Sequence, residues 1–132
     1  MMTRTASCRC GALTAGCEGE PVRVSVCHCL ACQQRTGSAF SVQARFQPEQ
    51  ISISGEAGEW SRIGDEGHSI RYRFCPQCGS TIFYTTDDEP ELVAIPVGAF
   101  ADPDFPAPSR SVYEQRRHRW TGISGDNVEH WD

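Results

Sequence analysis

Apolar and polar residues alternate in several short segments of this chain: VRVSVCHC (22–29), SAFSVQARF (38–46), QISIS (50–54), HSIRYRFC (68–75), TIFYTT (81–86) and ELVAIPVGAF (91–100). They are rich in β-branched and aromatic residues, and Gly, Pro or Asp marks fall between them, which predicts strands separated by turns. No stretch holds a helical apolar period for three turns, so the expected helix content is a single turn after Cys29, through LACQQR. The segment ADPDFPAPS (101–109), with three prolines and two aspartates, reads as an extended loop leading to a last strand around RSVYEQ. The fold class expected is mainly β, without internal repeats.

Composition narrows the function classes. At 132 residues the chain matches one domain, read as spanning 1–132, and such a length buries an apolar core without covalent staples. Hydrophobic residues make up 39% and charged residues 22%, and no apolar run approaches the roughly 18 residues of a membrane span, so no membrane partner is expected. The first residues, MMTRTASCRCG, contain no apolar signal region, which gives a cytoplasmic location with reduced thiols as the expectation. A net charge of -5 argues against nucleic acid, whose phosphates require a basic footprint. All 12 basic residues are arginine, which removes lysine Schiff-base chemistry and leaves cysteine, carboxylate, histidine or metal.

Eight cysteines then dominate the picture, and all but Cys17 are grouped: Cys8 with Cys10, Cys27 with Cys29 and Cys32, and Cys75 with Cys78. Residues i and i+2 of a strand share a face, so each C-x-C pair is expected to aim two sulfurs at one point from extended backbone. FCPQCGS (74–80) is a zinc-knuckle pattern, in which Pro76 fixes φ between the ligands and Gly79 lets the backbone curl back. A disulfide framework is disfavoured because a C-x-C pair bridges itself poorly and the expected compartment is reducing. A redox dithiol at Cys29 and Cys32 is disfavoured because such motifs open long helices in βαβ units. Structural zinc takes four protein ligands, whereas catalytic zinc takes three and keeps one position open. The expected partition is a closed metal site from Cys8, Cys10, Cys75 and Cys78, and an open one from Cys27, Cys29 and Cys32. Alternation turns His28 away from Cys27 and Cys29, while His68, His118 and His130 remain possible fourth ligands. Cys17 reads as a small buried apolar residue.

Three blocks, CRCG (8–11), CHCLACQQRTGSAFSVQARF (27–46) and RFCPQCGSTIFY (73–84), resemble the glutathione-dependent formaldehyde-activating enzyme family, which includes the centromere protein V type of domain. The resemblance implies a β-tent, a fold of small folded-over β-sheets. It also implies two zinc ions, one structural on Cys8, Cys10, Cys75 and Cys78, the other catalytic on Cys27, Cys29 and Cys32. The implied activity is that of a carbon-sulfur lyase, joining glutathione to formaldehyde as S-hydroxymethylglutathione, with a small-molecule thiol as partner. Zinc already holding three thiolates is a weak Lewis acid, so delivery of a substrate thiolate suits it better than activation of water. Candidate partners for the glutathione carboxylates are Arg35, Arg71, Arg73, Arg116, Arg117 and Arg119. The alternative reading is a zinc-binding β-tent module without catalysis that binds a protein or small molecule.

Overall fold

Strand alternation resolves into two sheets in the computed structural model, which describes residues 2–132. The smaller contains β1 (Thr3–Ser7), β2 (Thr14–Glu18) and β5 (Ile51–Ser54), antiparallel in the order β1-β2-β5. The larger contains β3 (Arg23–Cys27), β4 (Ser41–Phe46), β6 (Gly58–Ile63), β7 (Ser69–Phe74), β8 (Thr81–Thr86), β9 (Val93–Pro96), β10 (Arg110–Val112) and β11 (Glu129–His130). Its order is β11-β10-β3-β4-β9-β8-β7-β6, antiparallel except that β10 lies parallel to both β3 and β11. The chain is mainly β, as its alternation predicts. Helix α1 (Leu30–Thr36) occupies the expected place but runs for seven residues, about two turns where the sequence pattern predicts a single one. Among the described residues no helix is long and apolar enough to cross a membrane.

The core lies between the sheets. Ala6, Ala15 and Cys17 of the small sheet meet Val24, Ala44, Phe46, Ile82 and Ile95 of the large one, all buried. The small side chains of β1 and β2 permit close approach, while Phe46 fills the opposing face. Phe100 and Phe105 close the end of the core, their rings 4.6 Å apart, with Phe100 at 6.4 Å from Phe46. The run ELVAIPVGAF is not one strand: β9 stops at Pro96, and a 3₁₀ turn over Val97–Phe100 brings Phe100 inward. Cys17 sits among these residues, fully buried, and belongs to no cysteine group. Gly55, at φ 106°, ends β5 where a Cβ would lie 2.0 Å from the Ala12 carbonyl oxygen, so the turn after β1 packs directly on backbone.

Strands β3 and β4 divide the molecule. In their register, Arg23 faces Arg45, Ser25 faces Gln43 and Cys27 faces Ser41. These polar residues share one face, and Val24, Ala44 and Phe46 lie on the core side. Phe46→Ala should destabilise the fold by about 3–5 kcal/mol, the usual cost of emptying an aromatic core site. Urea unfolding would register this as a lower midpoint with an unchanged slope.

Candidate functional site

Two groups of thiols form where turns follow strands. Cys8 and Cys10 lie in the tight turn after β1 and not in extended strand, which corrects the expected geometry of that pair. The turn suits them because Gly11, at φ 86°, lets its N–H reach the Cys8 carbonyl at 3.1 Å, while the Leu13 N–H donates to Cys8 Sγ at 3.2 Å. The second turn repeats the device after β7: Gly79, at φ 83°, donates to the Cys75 carbonyl at 2.8 Å, and the Gln77 N–H points at Cys75 Sγ at 3.4 Å. These turns bring Cys10 Sγ to 3.7 Å from Cys8 Sγ and 3.6 Å from Cys75 Sγ, and all four sulfurs including Cys78 lie within 4.8 Å of one another. A disulfide holds its sulfurs at about 2.05 Å. A tetrahedron with metal-sulfur bonds of about 2.3 Å has edges of about 3.8 Å, so the spacing fits a metal ion.

The second group gathers Cys27, Cys29 and Cys32, again with sulfurs within 4.8 Å of one another. Cys27 ends β3, and Cys29 is the N-cap of α1, its sulfur accepting the Cys32 N–H at 3.3 Å. Cap and third helical residue are neighbours in the first turn, which places the two sulfurs side by side. Gly37 at φ 71° then terminates the helix. No histidine or carboxylate joins either group among the described residues. His28 is fully buried with Nε2 3.0 Å from the Ser111 hydroxyl of β10, His118 contacts Gln33, and His130 contacts Glu114. His68 lines the cavity described next without joining the sulfurs.

Three thiols so close cannot ionise independently. Hydrogen bonds from the Cys27 and Cys29 thiols hold Cys32 far below its usual range, with Ser41 and the Arg35 cation adding to the effect. The Cys27 thiol is pushed far up by its bonds to Cys29 and Cys32. The group thus favours a net negative charge that a cation would neutralise.

A cavity of about 370 Å³ opens over this group, with Cys27, Cys29 and Cys32 in its lining. The polar face of β3 and β4 supplies Arg23, Ser25, Gln43 and Arg45, and Tyr72 and Tyr84 line the side toward β7 and β8. The Gln43 amide donates to the Ser25 hydroxyl at 3.3 Å, and Arg45 donates to the same hydroxyl at 3.0 Å. Two arginines directly opposite on neighbouring strands would repel. Glu89 separates them, accepting from Arg23 at 2.5 and 3.1 Å and lying 3.5 Å from Arg45 Nε.

The arginines expected from sequence fall elsewhere. Arg71 pairs with Asp87 at 3.0 Å and Arg73 with Glu59 at 2.8 Å, while Arg116, Arg117 and Arg119 are exposed outside the cavity. Arg35 rests over the rings of Tyr72 and Tyr84 at 4.9 and 5.3 Å, close to the thiols but not in the lining. Arg23, Arg45, Arg62 and Arg110 line the cavity instead. Alternation backward from Cys27 through Ser25 to Arg23 is the sequence signal that identifies the first of them.

Residues 3–116 match the sequence family described as glutathione-dependent formaldehyde-activating enzyme. The chain belongs to that family. A solved structure of a Rhodobacter sphaeroides protein, a structural genomics target, is similar to this family member with a TM-score of 0.59 and 19% identity, over 75% of this chain and 91% of that one. At that identity the likeness concerns the fold, the β-tent of the family. No curated protein matches the sequence.

The Glu89 pairings carry a pH dependence. Hydrogen bonds from Arg23 hold the Glu89 carboxyl below its usual 4.5, opposed by burial and helped by the charges of Arg23 and Arg45. A depressed carboxylate contributes stability above its unfolded pKa, and that contribution is lost as pH falls through the folded value. Wild-type unfolding free energy should therefore drop as pH falls below about 4.5. Glu89→Gln should be less stable at pH 7 and show a shallower acid slope in denaturant titrations at stepped pH.

Proposed function

We propose that this family member is a zinc-dependent carbon-sulfur lyase that joins a small thiol to an aldehyde, with glutathione and formaldehyde as the family's pair. The observation that carries the reading is the convergence of three thiols on one cavity, with no histidine, carboxylate or further cysteine joining them among the described residues. Cys8, Cys10, Cys75 and Cys78 are assigned a structural zinc, and Cys27, Cys29 and Cys32 a catalytic one with an open position. When bound there, zinc supplies the positive charge that keeps a thiol ionised at neutral pH. The chain's own residues shape the rest. Cys27, Cys29 and Cys32 hold the ion, Arg35 offsets the negative charge of their sulfurs, and the cavity walls restrict how a substrate approaches. In the overall reaction the substrate's S–H bond breaks, a carbon-sulfur bond forms at the carbonyl carbon, and the proton ends on the carbonyl oxygen. No electrons are exchanged with a redox partner.

The two sites should respond differently to loss of a ligand. Cys75→Ser or Cys8→Ser should abolish stable folding, since a structural zinc contributes on the order of 10 kcal/mol of apparent binding energy to the fold. Cys32→Ser should lower metal content and turnover while leaving circular dichroism and most of the melting temperature intact. Equal unfolding in both classes would remove the four-plus-three assignment.

Cobalt makes the open position visible. Glutathione added to the cobalt form should shift its ligand-field and charge-transfer bands saturably, and Cys27→Ser should lose that response. Bands already characteristic of four protein ligands and indifferent to thiols would contradict the lyase and leave a binding module. Formation of S-hydroxymethylglutathione, followed against other thiols, identifies the substrate.

A further inference from the structure

Four arginines line the cavity, but they are not equivalent. Arg23 and Arg45 are neutralised by Glu89. Arg62 and Arg110 pair with no carboxylate among the described residues. Both are partly buried, and a guanidinium that has lost water without gaining an anion is a recognition group. Aromatic neighbours fix their planes. Arg62 Nε donates to the Tyr72 hydroxyl at 3.2 Å, with its guanidinium 6.0 Å from the ring centre of that tyrosine. Arg110 lies 4.4 Å above the ring of Trp131. Stacking uses the face of a guanidinium and leaves in-plane N–H donors for a carboxylate; at Arg62 the Nε–H is taken by Tyr72, so the terminal Nη groups are the ones left for two parallel bonds.

We propose that Arg62 and Arg110 are the specificity-determining anchors of this cavity, selecting a thiol that carries carboxylates away from its sulfur. The inference rests on the thiol-binding reading above and adds which residues enforce the choice. The two arginines come from widely separated strands of the large sheet, Arg62 from the edge strand β6 and Arg110 from β10 beside β3, so they enter the cavity lining from different sides of the sheet. Arg62 also feels the thiol group: burial opposes its charge, but the Tyr72 hydroxyl and the sulfurs of Cys29 and Cys32 favour it. The cavity as a whole is not a uniformly positive field, because Asp65, Glu66 and Asp88 line it too and are exposed. Selection by net charge alone would therefore be weak. Selection by two oriented guanidiniums would not.

The test compares glutathione with its diethyl ester, which keeps thiol and length but removes both negative charges. Binding to the zinc-loaded protein is measured by calorimetry. Wild type should bind glutathione at least about tenfold more tightly than the ester. Arg62→Gln and Arg110→Gln should each cut that preference by about tenfold while leaving the ester's affinity unchanged. Lysine at either position should restore part of it, and Arg73→Gln, which breaks a surface pair elsewhere, should change nothing. S-methylglutathione, which keeps the carboxylates and lacks a free thiol, should bind wild type and lose affinity in both glutamine variants. That arm reads the anchor independently of the open metal position. Its success without any response of the cobalt bands to thiols would keep the anchor and sink the lyase reading. Equal affinity of wild type for glutathione and its ester, or a preference untouched by both glutamine variants at unchanged melting temperature and zinc content, overturns the proposal. The wild-type comparison decides even if a variant fails to fold.

Discussion

The pairing of β3 with β4 is the constraint on which the molecule turns. One register sets Arg23 against Arg45, Ser25 against Gln43 and Cys27 against Ser41 on a single face, and it sends Val24, Ala44 and Phe46 to the core on the other. Because β3 also pairs in parallel with β10, the same strand fixes Val112 beside Cys27 and brings Ser111 to the buried His28 ring. The core and the cavity are thus two sides of one sheet, and Glu89 is needed because that sheet puts two cations opposite each other.

The second organising feature is the meeting of the sheets at four sulfurs. Cys8 and Cys75 belong to the apolar core as well as to the thiol group, so the group is an extension of that core. The contact closes a long loop between the turn after β1 and the turn after β7, a cost in chain entropy that a bound cation would offset. Around the three-sulfur group the logic differs. All its members come from one short stretch, the end of β3 and the first turn of α1, so its assembly needs little long-range order.

Much of this was legible in the residues, and the exceptions have physical causes. Strands β3, β4, β5, β7, β8, β9 and β10 fall within segments whose alternation or β-rich composition marks them. Strands β1 and β2 carry too weak a pattern because their inward residues are Ala6, Ala15 and Cys17, small enough to leave no hydrophobic signature. β6 is mostly exposed, with Trp60 and Ile63 open to solvent, so no buried face shapes its sequence. The local units, Cys8 with Cys10, Cys75 with Cys78, and Cys27 with Cys29 and Cys32, follow from spacing because turns impose local geometry, while the joining of the first two units follows only from the four ligands that a closed metal site takes. Of the cavity arginines only Arg23 follows from alternation; the others depend on long-range register, as with Arg62, which joins the lining from a strand far along the chain.

The two sulfur groups differ in one further respect, their exposure. Cys10 and Cys78 lie open on the outer surface, whereas Cys27 and Cys32 are buried beneath the cavity. Small oxidants and chelators arriving from bulk solvent meet the joint between the sheets before they meet the floor of the cavity.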